Sequence, residues 1–241
     1  MVICVPSGVT GVERRAVQEA AEYAGARAPT YVIEEPIAAA IGAGLDIAAP
    51  SGTMIVDIGG GTTEVAVLSL GGVVVSQSSR IGGDELDEAV AQFMKKEHGM
   101  TIGSRSAEEI KMALGSAVPL VDEVRAEVRG RDLVSGLPRR LVISSSEVRE
   151  AIVEPVVSIV DTVKSTLDRT PPELAADIME NGIVLAGGGA LLVGLRELVE
   201  AETGMPVRLA PDPHLAVVLG AGRALEEFDL YGELILSDGF E

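Results

Sequence analysis

The sequence predicts an α/β fold with a smaller α+β region inserted into it, and three observations carry that reading. Short apolar runs alternate with helix-period segments along the 241 residues, the order that generates strands covered by helices. Two of those runs flow straight into triple glycines, Gly59-Gly60-Gly61 and Gly187-Gly188-Gly189. From Asp122 to Ser145 the pattern changes to strand-like alternation, within a patch inserted between about Gly83 and Glu147.

Val2 to Val5 is an apolar run stopped by Pro6-Ser7-Gly8. It reads as a buried strand, with Cys4 as a buried strand residue. Thr10 and Glu13 spell a capping box. A helix to about Ala24 follows, with Val12, Ala16, Ala20 and Ala24 as its apolar stripe and Gly25 as its stop. Tyr31 to Ile33 is a second strand. Pro36 to Gly44 is a small-residue helix with proline in its first turn.

Thr53 to Ile58 reads as a strand that ends in Asp57-Ile58-Gly59-Gly60-Gly61-Thr62-Thr63. Glu64 to Leu70 and Val73 to Ser78 read as a hairpin across Gly71-Gly72. Asp84 to Glu97 has helical period, with Leu86, Ala89, Val90, Phe93 and Met94 on one face. Ser106 and Glu109 spell another capping box and predict a helix to Leu114. Val124, Ala126, Val128 and then Leu141, Ile143 alternate around Ser135-Gly136-Leu137-Pro138, which predicts two strands.

A long helix spans about Glu147 to Leu167. Thr170-Pro171-Pro172-Glu173 predicts another, opened by a capping box with proline in the first turn. Gly182 to Ala186 is a strand. Helix, strand and helix finish the chain, the last beginning at Asp212-Pro213. Met94, Met112 and Met179 are expected in cores. The acids of the final segment read as a solvated face.

Composition limits the function classes. Hydrophobic residues make up 47% of the chain, enough for a sizeable core, while aromatics are only 2%. Core volume therefore comes from Val, Ile, Leu and Ala, which suits helices packed on sheets. There are 19 Lys and Arg against 37 Asp and Glu, a net of −18. Such a surface repels a phosphate backbone, so nucleic acid is excluded as a partner. The lone Cys4 cannot form an internal disulfide, no stretch is long and apolar enough to span a bilayer, and no signal-peptide order opens the chain. The expected location is the cytoplasm.

The glycine loops carry the chemistry. Consecutive glycines let backbone N–H groups approach phosphate oxygens. Asp57 at the strand end can hold hydrated Mg²⁺, which takes oxygen ligands and keeps its waters. Thr62 and Thr63 can contact phosphate or orient water. Gly187-Gly188-Gly189-Ala190, between a strand and a helix, offers a flat surface suited to a nucleotide. A single triple glycine is commonly only a tight turn; two of them, each ending an apolar strand, favour nucleotide binding. There is no G-x-x-x-x-G-K-[ST] and no G-x-G-x-x-G fingerprint, so P-loop and Rossmann sites are excluded. Glu34-Glu35-Pro36 places a carboxylate at a helix start, where it can polarise water or simply favour the helix dipole.

At these residues the chain resembles a known family. Ile55 to Val65 resembles the second phosphate motif of the superfamily that unites actin, the heat-shock chaperone ATPases and sugar kinases, in the form carried by the MreB family of bacterial actin-like proteins. Glu34-Glu35-Pro36-Ile37-Ala38-Ala39-Ala40-Ile41-Gly42 is similar to that family's first connecting segment. Gly182 to Leu192 resembles its adenosine motif. The stretches at Val5-Pro6-Ser7-Gly8, Ser135 to Arg139 and Thr170 to Leu174 are similar too.

The resemblance implies an actin-like ATPase (ribonuclease H-like) fold that lacks the N-terminal part of its first domain. Residues 1–49 would be a remnant of the first subdomain with its connecting helix. Residues 50–82 and 148–210 would form the second, nucleotide-binding subdomain, 83–147 a small inserted α+β subdomain, and 211–241 a C-terminal helix returning to the first domain. The implied cofactors are ATP and Mg²⁺. Asp57 would hold the metal through water, and Gly59, Gly60, Gly61, Thr62 and Thr63 would line the phosphates. Glu35 would orient the hydrolytic water with help from Thr62. Glu108 and Lys111 would sit beside the adenosine, facing Gly187, Gly188, Gly189 and Ala190.

The family is a weak ATPase that polymerises into membrane-associated filaments guiding wall synthesis. The implied partners are therefore further copies or full-length MreB, and the cell-wall elongation machinery. The family's Asp-x-Gly-Thr hairpin and its amino-terminal membrane anchor have no counterpart in these residues, so a truncated chain with impaired nucleotide handling is expected. Ala113 stands where the family usually carries Glu, a change expected to alter the adenosine contacts. The alternative reading is a non-polymerising module that binds or caps full-length MreB or its partners.

Overall fold

The computed structural model describes residues 1–235. In chain order its elements begin with β1 (Val2–Val5), α1 (Gly11–Tyr23), β2 (Tyr31–Glu34) and α2 (Glu35–Gly42), then β3 (Thr53–Ile58), β4 (Thr63–Ser69) and β5 (Gly72–Ser79). Next come α3 (Gly83–His98), β6 (Met100–Thr101), α4 (Ser104–Leu114), β7 (Arg125–Asp132) and β8 (Pro138–Ser144). The chain continues through α5 (Ser145–Asp168), α6 (Pro172–Asn181), β9 (Ile183–Ala186), α7 (Leu195–Thr203), β10 (Val207–Leu209), α8 (Ala216–Glu226) and α9 (Phe228–Tyr231). Of the segment expected to end the chain, residues 236–241 lie outside the described residues, and with them Asp238 and Glu241 of the expected solvated face.

Three sheets result. The main one runs β10-β9-β3-β4-β5. Its β10, β9 and β3 are parallel, while β3, β4 and β5 form an antiparallel meander. β1 and β2 make a parallel pair, and β6, β7 and β8 an antiparallel sheet.

The period of two in β3 explains why the main sheet is covered on both faces. Met54, Val56 and Ile58 point into one core with Val65, Val67, Leu185 and the α3 and α5 side chains. Ile55 points the other way, into a second core with Ala66, Leu68, Val184 and the α2 and α8 side chains. Alternate strand residues face opposite sides, so both sets must be apolar when both faces carry helices. Every residue of β4 is buried.

Helix α2 reaches its partner α8 because both present glycine at the crossing. A Cβ on Gly220 would stand 1.7 Å from Ala38 O, and one on Gly42 would stand 1.8 Å from Ala216 O. Ala38, Ala39 and Ala40 are fully buried there. Arg223 closes the α2 C-terminus by donating to Ile41 O at 3.0 Å, a favourable place for a cation at a helix end.

Several local expectations are corrected. The expected α1 stripe of Val12, Ala16, Ala20 and Ala24 faces solvent, with Val12 80% exposed. The inner face is polar instead: Gln18 Nε2 donates to Thr30 O at 2.9 Å, and Arg14 pairs with Glu34 at 2.6 Å. The capping box at Thr10 and Glu13 does form. The box expected at Ser106 does not, because α4 starts two residues earlier at Ser104 and Glu109 pairs with Arg105. Thr170 does not cap α6 either; its hydroxyl donates to Thr166 O at the end of α5. Met94 is buried as expected, but Met112 and Met179 are 76% and 63% exposed.

The β4–β5 hairpin turns on Leu70-Gly71, one residue earlier than expected. Both are left-handed, with φ of 52° and 78°, as a two-residue turn matching strand twist requires. Leu70 has a side chain that disfavours this conformation, and it is 73% exposed, so burial returns little. Leu70→Gly is therefore expected to raise stability by about 1 kcal/mol, measurable as a shift in the urea midpoint at constant slope.

Candidate functional site

β3 and β9 are adjacent and parallel, with Asp57 level with Ala186. Their C-terminal ends release the two triple-glycine loops side by side, where open α/β sheets take their ligands. The loops touch closely enough to need glycine. Gly187 has φ +82°, and a Cβ on it would stand 2.2 Å from Ile58 O and 2.7 Å from Asp57 Oδ1. A Cβ on Gly189 would stand 2.3 Å from Ile58 Cγ2.

The first loop is locked by its carbonyls. Gly59 N–H donates to Thr62 O at 2.8 Å, while the Gly83 and Asp84 amides at the start of α3 donate to Gly59 O and Gly60 O at 2.9 and 2.8 Å. This leaves the N–H groups of Gly60, Gly61 and Thr62 without an intramolecular partner among the described residues. The amides of Gly188 and Gly189 are open as well. Clustered free amides make a concavity that favours an anion.

A cleft of about 440 Å³ lies beside the two loops. Gly59, Gly60, Gly188, Gly189, Glu108 and Lys111 all line it, so the structure brings these expected residues together. Its size suits a small-molecule ligand. Two other grooves of similar size lie between α4 and β7 and along α5. Neither is bordered by a glycine loop. Ala113 lines the α4–β7 groove, not the cleft, while Met112 faces the cleft. The expected effect of Ala113 on adenosine contacts is thus corrected: one helical position places its side chain on the other face.

Lys111 ties the walls of the cleft. Its Nζ donates to Gly83 O at 3.0 Å and stands 2.8 Å from Asp87 Oδ1. Burial of Asp87 outweighs the nearby lysine and holds its carboxyl above the ordinary range. Asp84 and Asp87 also line the cleft. Neither carries a sequence signal for the cleft: Asp84 is an acid in the first turn of α3, ordinarily a dipole partner, and Asp87 lies one turn further along the same helix.

The other expected residues sit around this cleft in different ways. Gly61 is exposed and Thr62 half-buried at the loop tip, outside the lining. Thr63 was expected at the phosphates, but it is fully buried and its hydroxyl donates to Ile81 O at 2.7 Å. It supports the loop from below. Gly187 and Ala190 are buried at the base of the second loop.

Asp57 belongs to a group of carboxylates at the strand ends. Burial first, then the charges of Glu35 and Glu64, push its pKa up to about 7. Glu35 is raised by burial and by Glu64. Glu64 is raised by its burial, against hydrogen bonds that oppose the shift. Cys4 is pushed up to about 11 by burial, with Glu35 and Asp57 adding to it, which favours the protonated thiol while the strand is docked. The nearby Arg14 is already paired with Glu34.

Adjacent parallel strand ends carrying two glycine loops to one cleft, with a small α+β unit beside it, define an actin-like fold. The chain belongs to the MreB/Mbl family, which matches residues 1–233. It is 53% identical over 239 residues to the cell shape-determining protein MreB of Escherichia coli strain K12, covering 99% of this chain and 68% of that relative. The cell shape-determining protein Mbl of Bacillus subtilis strain 168 is 46% identical over 229 residues, covering 95% of this chain and again 68% of the relative. The crystal structure of MreB5 of Spiroplasma citri bound to AMPPNP superposes with a TM-score of 0.90 at 38% identity, covering 96% of this chain and 69% of that one.

Proposed function

We propose that this chain is an actin-like cytoskeletal protein that binds ATP in the cleft between its glycine loops and acts in cell-shape determination. The observation that carries the reading is the pair of glycine loops that line one cleft together: the open amides of Gly60, Gly188 and Gly189 belong to its lining, and those of Gly61 and Thr62 lie at the adjoining loop tip. The names of the relatives support the cell-shape role, and the AMPPNP complex of the Spiroplasma protein supports a nucleotide ligand.

In this reading the phosphates lie along Gly59, Gly60, Gly61 and Thr62. The nucleoside lies between Gly188-Gly189 and the α4 residues Glu108 and Lys111. Among the described residues no group of three or more His, Cys, Asp or Glu is placed to ligate a metal directly, so the candidate for a hard divalent cation is the single carboxylate of Asp57, 6% exposed at the strand end beside the first loop. Asp57 would hold Mg²⁺ through water, as that ion prefers. When bound, Mg²⁺ neutralises phosphate charge. Glu35, at the first turn of α2, would orient a water for hydrolysis with Thr62 assisting.

Self-association into filaments, contact with the cell-wall elongation machinery and membrane association through partners belong to the same proposal. No helix among the described residues is long and apolar enough to cross a membrane. Residues 83–147 would act as the small subdomain beside the nucleotide, and residues 50–82 with 148–210 as the subdomain that holds it.

Sedimentation and electron microscopy with ATP and Mg²⁺ test this. Nucleotide-dependent filaments are expected. No assembly alone, with co-sedimentation only on filaments of full-length MreB, would replace the reading with that of an interaction module. No assembly and no co-sedimentation would reject both.

A further inference from the structure

Glu64 is an unusual residue to find in the middle of a sheet. It is 1% exposed in β4, directly opposite Asp57 of β3. A buried carboxylate is costly unless its oxygens are used. Both are. Oε1 accepts from the Ser78 hydroxyl of β5 at 2.5 Å, and Oε2 accepts from the Ser7 backbone N–H at 3.2 Å.

The second bond is the informative one. Ser7 lies in the turn that follows β1, outside the main sheet. Among the described residues, this is the one hydrogen bond joining residues 1–34 to residues 50–235. In the β1–β2 register Val5 is level with Glu34, so the Ser7 turn leaves the strand pair beside the start of α2, where Glu35 stands. Glu64 thus lies between the strand end that carries Asp57 and the turn beside Glu35.

We propose that Glu64 is a positioning residue. It pins the Pro6-Ser7-Gly8 turn to the β4–β5 hairpin and so sets where Glu35 stands relative to Asp57 and the Gly59–Thr62 loop. This rests on the proposed function for the meaning of that placement, but the pinning itself does not need a nucleotide. The sequence places Glu64 inside the Ile55 to Val65 stretch that resembles the phosphate motif, but gives it no role of its own there.

The chain's single cysteine, Cys4, lies three residues before Ser7 on β1 and is half-buried. It reports on the docking of this strand. Two readouts are taken on the full chain: the alkylation rate of Cys4 without nucleotide, and the ratio of ADP to AMPPNP dissociation constants with Mg²⁺. Glu64→Ala leaves the Ser7 amide unpaired, and is expected to speed Cys4 alkylation about tenfold or more by local opening. Glu64→Gln keeps the shape and an acceptor, and is expected to restore a rate near that of the parent. Ser78→Ala, which removes only the hairpin contact, is expected to fall between them.

Amide exchange in α5 and β9 serves as the control for general loosening and is expected to stay unchanged. Glu64→Ala is also expected to shift the ADP to AMPPNP ratio by about tenfold, with Glu64→Gln again near the parent. An unchanged Cys4 rate in Glu64→Ala, or an equal acceleration in Glu64→Gln, overturns the proposal. Acceleration matched by faster exchange throughout α5 and β9 overturns it too, since the effect is then general loss of stability. If the Glu64→Ala protein does not fold, the Glu64→Gln and Ser78→Ala proteins decide it by the same rate: Ser78→Ala at the parent's rate is the contrary result. If the parent binds no adenine nucleotide but the rates behave as expected, the proposed function fails and the pinning stands.

Discussion

Gly220→Ala is expected to destabilise the protein by about 3 kcal/mol, the upper end of the usual range for overpacking. One methyl has this effect because of where it lands. The new carbon would stand 1.7 Å from Ala38 O and 2.8 Å from Gly42 N, and both are backbone atoms of α2. Backbone cannot swing aside as a side chain can. The helices must separate, and the fully buried Ala38, Ala39 and Ala40 lose contacts along the whole crossing. Gly222, two residues on in the same helix, has nothing within 4 Å of its added carbon. Gly222→Ala is expected to gain up to about 1 kcal/mol from helix propensity. Urea unfolding of the two variants therefore gives opposite signs. Equal effects would mean that α2 and α8 do not meet through these glycines. Because α2 begins at Glu35, separation of the helices would reach the candidate site too.

The second large effect is on Asp57. Its carboxyl is held at about 7 in the fold against an ordinary 3.8. Between these values the folded chain keeps a proton that the unfolded chain has released. Stability from this group therefore falls as pH rises from about 4 to about 7, and stays lower above that. Roughly three units correspond to about 4 kcal/mol. Asp57→Asn removes the charge and with it this loss. At pH 8 and without nucleotide or Mg²⁺, the variant is expected to be more stable than the parent by on the order of 3 kcal/mol. At pH 4.5 the difference should be small. The same change should remove any tightening of nucleotide binding by Mg²⁺, the usual exchange of stability for function. Urea unfolding of both proteins from pH 4.5 to 8 reads the difference. A gap that narrows as pH rises would contradict the argument.

The strands were the most legible part of the fold. Thr53 to Ile58 and Ile183 to Ala186 are apolar on both faces and end in glycine, which fixes both their type and their end. The α2 helix was legible from Pro36 and its run of small residues. Helix starts were less so. Ser106 and Thr170 satisfy the capping pattern in sequence, yet Gly103 opens α4 and Thr170 is drawn to a carbonyl of α5. Competing local acceptors decide such cases, and they are set by the fold. The outward stripe of α1 was misread because Gln18 and Arg14 dock that helix through hydrogen bonds, which hydrophobic period does not register.

In the candidate site the loops were legible from the residues themselves, Glu108 and Lys111 came only from the family resemblance, and the rest of the lining was not legible. Triple glycine after a strand is a local signal. The cleft lining by Asp84, Asp87 and Met112 depends on α3 and α4 packing across the loop, a pairing with no mark in the sequence. Thr63 lies next to Thr62 in sequence but is placed differently: it is the first residue of β4, fully buried and bonded to Ile81 O, whereas Thr62 is the last, half-buried residue of the loop.

Calorimetric titration of the chain with ATP, with and without Mg²⁺ at pH 8, tests the central claim most directly. Saturable binding is expected, strengthened by Mg²⁺ in the parent protein and unaltered by it in Asp57→Asn. Absence of saturable ATP binding in the parent, or the same Mg²⁺ effect in Asp57→Asn, would contradict the placement of nucleotide and metal at these loops.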